Sequence, residues 1–157
     1  MQLVIAEKPS VAQSIAAVLG ATKKESGYLI GAGYIVSWCV GHLVELAMPH
    51  LYDERHSKWQ WDDLPILPEA WQYMVSDATH KQFNILHALM HDARVDTIVC
   101  ATDAGREGEL IFRLVYQQCT CAKPIKRLWI SSLEESAIRG GFLALRDGQD
   151  FDRLYQA

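Results

Sequence analysis

The densest chemistry in the chain lies in Asp103-Ala104-Gly105-Arg106-Glu107-Gly108-Glu109, where carboxylates, glycines and an arginine crowd one short segment. It follows a strand-like run, Thr97-Ile98-Val99-Cys100, and precedes a helix-like one, Leu110 to Val115. The cluster therefore sits where a strand hands over to a helix. In open α/β sheets ligands collect beyond the carboxyl ends of the strands. Hard cations such as Mg2+ prefer carboxylate oxygens and often bridge to phosphates, so the pattern reads first as a metal–phosphate site. Glu7-Lys8 occupies a similar place after the strand-like run Gln2 to Ala6. If the two strands are neighbours, Glu7, Lys8, Asp103 and Glu107 share one sheet edge. Asp103 and Glu107 would then bind Mg2+ and Glu7 would transfer a proton. Lys8 would set a point charge against a phosphate oxygen. Gly105 and Gly108 would let backbone approach that phosphate.

The same residues have plainer readings. Glu7-Lys8 fits a solvated pair in a strand–helix turn. Asp103 fits a helix N-cap, and Glu107 and Glu109 fit first-turn acids favoured by the helix dipole. Arg106 and Arg113 fit surface charges on that helix. His42 and Glu45, after Gly41, could frame a polar site or serve only a turn.

The elements that would position these side chains follow from periodicity. A strand over 2–6 leads to a helix over 9–19, with Pro9 at its first position, an apolar stripe of Val11, Ile15, Val18 and Leu19, and Gly20 at its stop. Short strands are expected at Tyr28–Gly31 and from Tyr34 to Val40. Residues 42–78 are irregular, and their Trp59, Trp61 and Trp71 are expected to pack on one another; stacking on nucleic-acid bases is the alternative. A helix near 79–92, a strand at 96–101, a helix at 106–118, a strand at 125–130 and a helix at 134–146 complete the order. This alternation predicts an α/β fold: a mainly parallel sheet with helices on both faces and an insertion around 42–78.

At 157 residues the chain suits one domain with a proper core. Half of it is hydrophobic and 22% is charged, an ordinary globular balance. No apolar run is long enough to span a bilayer, and no leader pattern opens the sequence, so a soluble cytoplasmic protein is expected. Cys39, Cys100, Cys119 and Cys121 lack zinc or redox spacing and read as buried reduced thiols. There is no Gly-x-x-x-x-Gly-Lys-Ser/Thr loop, and Gly31-Ala32-Gly33 lacks a third glycine and a following helix. The net charge of −4 disfavours an independent nucleic-acid binder, because affinity for phosphates comes from Lys and Arg. Either nucleic acid is not the partner or most of the basic surface is elsewhere.

Val4-Ile5-Ala6-Glu7-Lys8-Pro9-Ser10 followed by the Asp103–Glu109 segment resembles the Toprim (Rossmann-like) domain of type IA DNA topoisomerases, most closely the bacterial topoisomerase III branch. Gly41-His42-Leu43-Val44-Glu45, Lys58-Trp59 with Leu64-Pro65-Ile66-Leu67-Pro68, and Trp129-Ile130-Ser131-Ser132-Leu133 support the match. The resemblance covers the whole chain in order. It implies ATP-independent, Mg2+-dependent cleavage of one DNA strand through a 5′-phosphotyrosine, strand passage and religation. By that resemblance Glu7 assists proton transfer and helps hold the metal, and Lys8 steadies the scissile phosphate. Asp103 and Glu107 belong to an Asp-x-Asp-x-Glu metal motif, and Lys8 and Arg106 meet DNA. Gly105 stands where that motif has its middle acid, which should weaken the metal site.

Nothing here resembles the family's tyrosine segment, and Phe151–Ala157 stops after two turns of helix character. Residues 1–157 are therefore expected to be a single domain excised from the N-terminal part of a multidomain topoisomerase. It should be inactive alone, with the remaining topoisomerase domains, single-stranded DNA and a helicase as partners. A Toprim-type primase or nuclease, or a non-catalytic binding module, are the rival readings.

Overall fold

The computed structural model describes all of residues 1–157. Strand β1 (Gln2–Ala6) runs up the middle of the sheet into helix α1 (Pro9–Leu19). Proline fits the first helical position of α1 because its missing N–H has no intrahelical partner there. Gly20 ends the helix in the left-handed conformation, at φ 80°, and its N–H returns to the Ala16 carbonyl. Strands β2 (Lys23–Glu25), β3 (Tyr28–Gly31) and β4 (Tyr34–Trp38) follow as an antiparallel meander. After the 42–78 excursion, which contains β5 (Val44–Leu46) and β6 (Tyr73–Val75), come α2 (His80–Met90) and β7 (Thr97–Ala101). Helix α3 (Arg106–Gln118), β8 (Ile125–Arg127), α4 (Glu135–Leu143), β9 (Arg146–Asp147) and α5 (Asp152–Gln156) close the chain.

The main sheet has seven strands in the order β2-β3-β4-β1-β7-β8-β9. Its centre, β4-β1-β7-β8, is parallel, while both flanks pair antiparallel. The mainly parallel expectation thus holds for the core of the sheet, which is where the two chemistry-bearing strands lie. Two apolar layers cover it. On one face Phe83 and Leu86 of α2 and Ile111, Phe112 and Val115 of α3 pack on Leu3, Ile5, Ile98 and Cys100. On the other, Ala12, Ile15 and Ala16 of α1 and Ile138 of α4 pack on Val4, Ala6, Val36 and Val99. Alternate residues of β1 feed opposite layers, as strand geometry requires. Each fully buried Ile or Phe contributes about 1.5–3 kcal/mol to that packing.

Several expectations need correction. The strand expected at 125–130 stops at Arg127, and the strand expected to reach Val40 stops at Trp38. The helix expected over 134–146 spans only Glu135–Leu143, because Arg146 and Asp147 turn back to pair with Arg127 and Lys126. Trp59, Trp61 and Trp71 do not pack on one another in a small core: they are 79%, 90% and 57% exposed. The excursion offers them no layer to bury against, being built of short 3-10 turns at Pro49–Leu51, Glu54–Ser57 and Trp61–Asp63. Leu43 and Val44 at its start join the main core and Val75 packs on it, while polar contacts tie the rest: the Tyr52 hydroxyl accepts the Gln72 N–H at 2.7 Å, and Asp63 faces His56 at 3.6 Å. No helix is long and apolar enough to cross a membrane.

Candidate active site

β1 and β7 are hydrogen-bonded neighbours in parallel register, with Ala6 opposite Ala101. Both strands end at the same edge, so the residues that follow each one meet there. Glu7 Oε2 accepts the backbone N–H of Asp103 at 3.2 Å, which ties the two strand ends together through a carboxylate. Lys8 precedes Pro9 in extended conformation at the mouth of α1 and is exposed. Asp103, Arg106 and Glu107 are also exposed on the loop and first turn leading into α3. The first amides of a helix as long as α3 favour anions at that end. The structure therefore gathers Glu7 and Asp103 by direct contact and displays Lys8, Arg106 and Glu107 from the elements that flank them.

β4 contributes the third strand end. Trp38 lies opposite Ala6, the Cys39 N–H donates to the Ala6 carbonyl at 2.8 Å, and the chain turns at Gly41 with φ 77°. That turn delivers His42, whose Nε2 lies 2.5 Å from Glu107 Oε1. His42 thus belongs to the site, whereas Glu45 lies on β5 opposite Met74 in the separate hairpin. Pairing with His42 occupies one oxygen of Glu107 and the Asp103 amide one oxygen of Glu7, so the Asp103 carboxylate is the freest of the three. No group of three or more His, Cys, Asp or Glu side chains is drawn together as a ready-made metal cage. The donor set is still chemically apt for Mg2+, which takes one or two carboxylates and keeps several waters.

A buried ion-pair network beneath the Asp103 loop was not legible in the sequence. Arg127 of β8 and Glu109 of α3 are 0% and 1% exposed, with Arg127 Nε 3.0 Å from Glu109 Oε2. That approach lacks hydrogen-bond alignment, so it is a charge contact, and the guanidinium's aligned bonds go elsewhere. Its Nη1 donates to the carbonyls of Cys100, Thr102 and Leu128, and its Nη2 to that of Asp103 at 2.8 Å. Glu109 Oε1 also accepts from Arg113 Nε at 2.9 Å, and Arg113 reaches Asp152 at the start of α5. Glu109 does lie in the first turn of α3 but is buried in this ion pair, and Arg113 is not a surface charge of that helix. Their spacing of four residues was a usable signal for the pair; nothing in the sequence around Arg127 marked it as buried. The Thr102 hydroxyl adds a bond to the Gly108 carbonyl at 2.7 Å, and a Cβ at Gly108 would stand 2.2 Å from the Asp103 carbonyl. The loop carrying Asp103 is thus fixed from below by charge, hydroxyl and close backbone contact. Burial pushes the nearby Cys100 thiol up to about 11, which keeps it protonated and inert at neutral pH.

Residues 2–133 match the family model described as the Toprim domain. The chain is 51% identical over 153 residues to DNA topoisomerase 3 of Bacillus thuringiensis (strain Al Hakam), covering 98% of this chain and 21% of that protein. It is 48% identical over 155 residues to DNA topoisomerase 3 of Bacillus subtilis (strain 168), covering 99% of this chain and again 21% of the relative. The chain thus spans only that small share of the length of the curated relatives it matches. Full-length topoisomerase I from Thermotoga maritima is similar in fold, with a TM-score of 0.60 at 19% identity over 92% of this chain and 21% of that one.

Proposed function

The chain belongs to the Toprim domain family, and from that premise we propose that it supplies the acid and metal half of a type IA topoisomerase active site of the topoisomerase 3 kind. The observation that carries the reading is the Glu7–Asp103 contact at the shared end of β1 and β7, with Lys8 beside it. The nucleophilic tyrosine would come from a further domain of a longer polypeptide, together with most of the grip on DNA. Such a polypeptide would act in the cytoplasm on single-stranded DNA, with a helicase as a further partner.

In the proposed reaction the tyrosine hydroxyl gives up its proton to solvent as its oxygen forms a bond to phosphorus, while the bond from phosphorus to the 3′-oxygen breaks. The 3′-oxygen leaves as a hydroxyl and needs one proton. Glu7, half-buried and held in place by the Asp103 amide, is the group to hand over that proton and to recover it on religation. Lys8 sets its ammonium against the non-bridging phosphate oxygens, and Arg106 contacts the adjoining backbone. Glu7 and Asp103 would hold Mg2+, with Glu107 joining when His42 releases it. When bound, the ion neutralises charge gathering on the phosphate. Gly105 brings no ligand, so binding is expected to be weak.

The test is Mg2+-dependent relaxation of negatively supercoiled DNA, without ATP, by a polypeptide that carries this chain and the tyrosine domain. Wild type should relax the DNA and Glu7→Gln should lose at least about a hundredfold in rate. The 157-residue chain alone should do nothing. Equal rates for wild type and Glu7→Gln would remove Glu7 from the chemistry, and relaxation by the isolated chain would overturn the half-site reading.

A further inference from the structure

Two hollows adjoin on the α1–α4 side of Asp103. The first, of about 360 Å3, lies between Val11 of α1, the Asp103-Ala104 turn and the segment Ile130–Leu133. The second, of about 420 Å3, shares Ile130, Ser131 and Ser132 with it and continues past Trp129 to Gly140 and Gly141 of α4. Together they make one groove that starts at a residue of the phosphate edge and runs away from it. The first hollow alone is within the size range of small-ligand sites.

The lining decides what fits. Asp103 is the one ionisable residue in either hollow, and no Lys or Arg lines them. A phosphodiester laid in this groove would therefore meet no cation. Its walls are apolar side chains, serine hydroxyls and one indole, which is the chemistry that takes a nucleobase. The indole is held ready. The Trp129 ring stacks on the buried Phe151 ring at 5.0 Å and 27°, and the Arg127 guanidinium carbon lies 5.1 Å from its centre. Even so braced, Trp129 stays 40% exposed. The Ser132 hydroxyl accepts the Glu134 N–H at 3.2 Å, which leaves its own hydrogen to donate. Small residues form the far side, where Gly140 has open space over its Cβ position.

We propose that this groove receives bases of the single DNA strand whose phosphate sits at Glu7, Lys8 and Asp103, with one base stacked on Trp129. The proposal rests on the DNA-strand reading above and adds to it a base-binding track within this domain. The backbone of the strand stays outside, along the charged edge, while its bases turn inward.

The experiment uses the isotopically labelled 157-residue chain, titrated with a short oligothymidylate and with an abasic strand of the same length, followed by NMR. The thymine strand should shift the Trp129 indole N–H and the Ser131 and Ser132 amides along with Asp103. Trp129→Ala should weaken binding at least about fivefold, and the abasic strand should bind wild type no better than the thymine strand binds this variant. Gly140→Leu fills the groove at an exposed helical position without removing any contact, so it keeps the fold and should weaken binding similarly. Shifts confined to Glu7, Lys8 and Asp103, or equal affinity for thymine and abasic strands, would overturn the base groove and leave the proposed half-site standing. No shift at either place would remove both.

Discussion

Gly105 and Gly108 stand three residues apart and have opposite reasons for being glycine. Gly105 has an extended backbone, with φ 176°, and nothing within 4 Å of its Cβ position. A side chain fits there without strain. Gly108 is boxed in by the Asp103 backbone, so its lack of a side chain is a packing requirement. Gly105→Asp should fold normally and add a carboxylate beside Asp103. Mg2+ affinity, measured by titrating the amide signals of Glu7 and Asp103, should rise by about tenfold, because ligand charge count sets the affinity of hard-cation sites. An unchanged affinity would place residue 105 outside the metal's reach.

Elements meet at Arg127. This one side chain joins β8 to the end of β7, to the Asp103 turn and, through Glu109, to α3. The Glu109–Arg113–Asp152 branch extends the connection to α5. Charges this deep gain little over a packed apolar core, yet removing one partner strands the other. Arg127→Met should therefore cost about 3–5 kcal/mol in denaturant unfolding. Arg127→Lys keeps the charge but cannot span all four carbonyls, so it should recover only part of the loss. A cost below about 1 kcal/mol for Arg127→Met would mean that the strand and helix packing alone fixes the Asp103 turn.

For the whole molecule, the charge balance sets what the domain can do by itself. With net charge −4 and only Lys8 and Arg106 as its proposed phosphate contacts, it should bind single strands weakly. Each contact contributes a slope of about −0.7 in log affinity against log salt, so two contacts give about −1.4. Lys8→Ala should bring that to about −0.7, read by the same titrations at several salt concentrations. A slope much steeper than −1.4 would reveal a basic surface beyond these two residues. The exposed tryptophans at 59, 61 and 71 lie in a stretch whose five acids, Asp53, Glu54, Asp62, Asp63 and Glu69, outnumber Arg55 and Lys58, a net negative setting that disfavours phosphate. The base-binding role proposed for Trp129 does not extend to them.

The sequence by itself determined what local chemistry can encode. Pro9 and Gly20 bracket α1, the apolar stripe marks α3 at its observed bounds, and β-branched runs mark β1 and β7. Because Glu7 and Asp103 follow the ends of those strands within two residues, their shared edge was legible as soon as the strands were taken as neighbours. Tertiary structure decided everything that depends on residues distant in the chain. His42 reaches Glu107 across 65 positions through the β4 turn, and Arg127 finds Glu109 only after β8 has paired with β7. The tryptophans of the excursion looked like a core because sequence records that a side chain is apolar, not whether a layer exists to cover it. Periodicity reports one element's own faces; contacts between elements are fixed by how the sheet is ordered and what its loops bring to its edge.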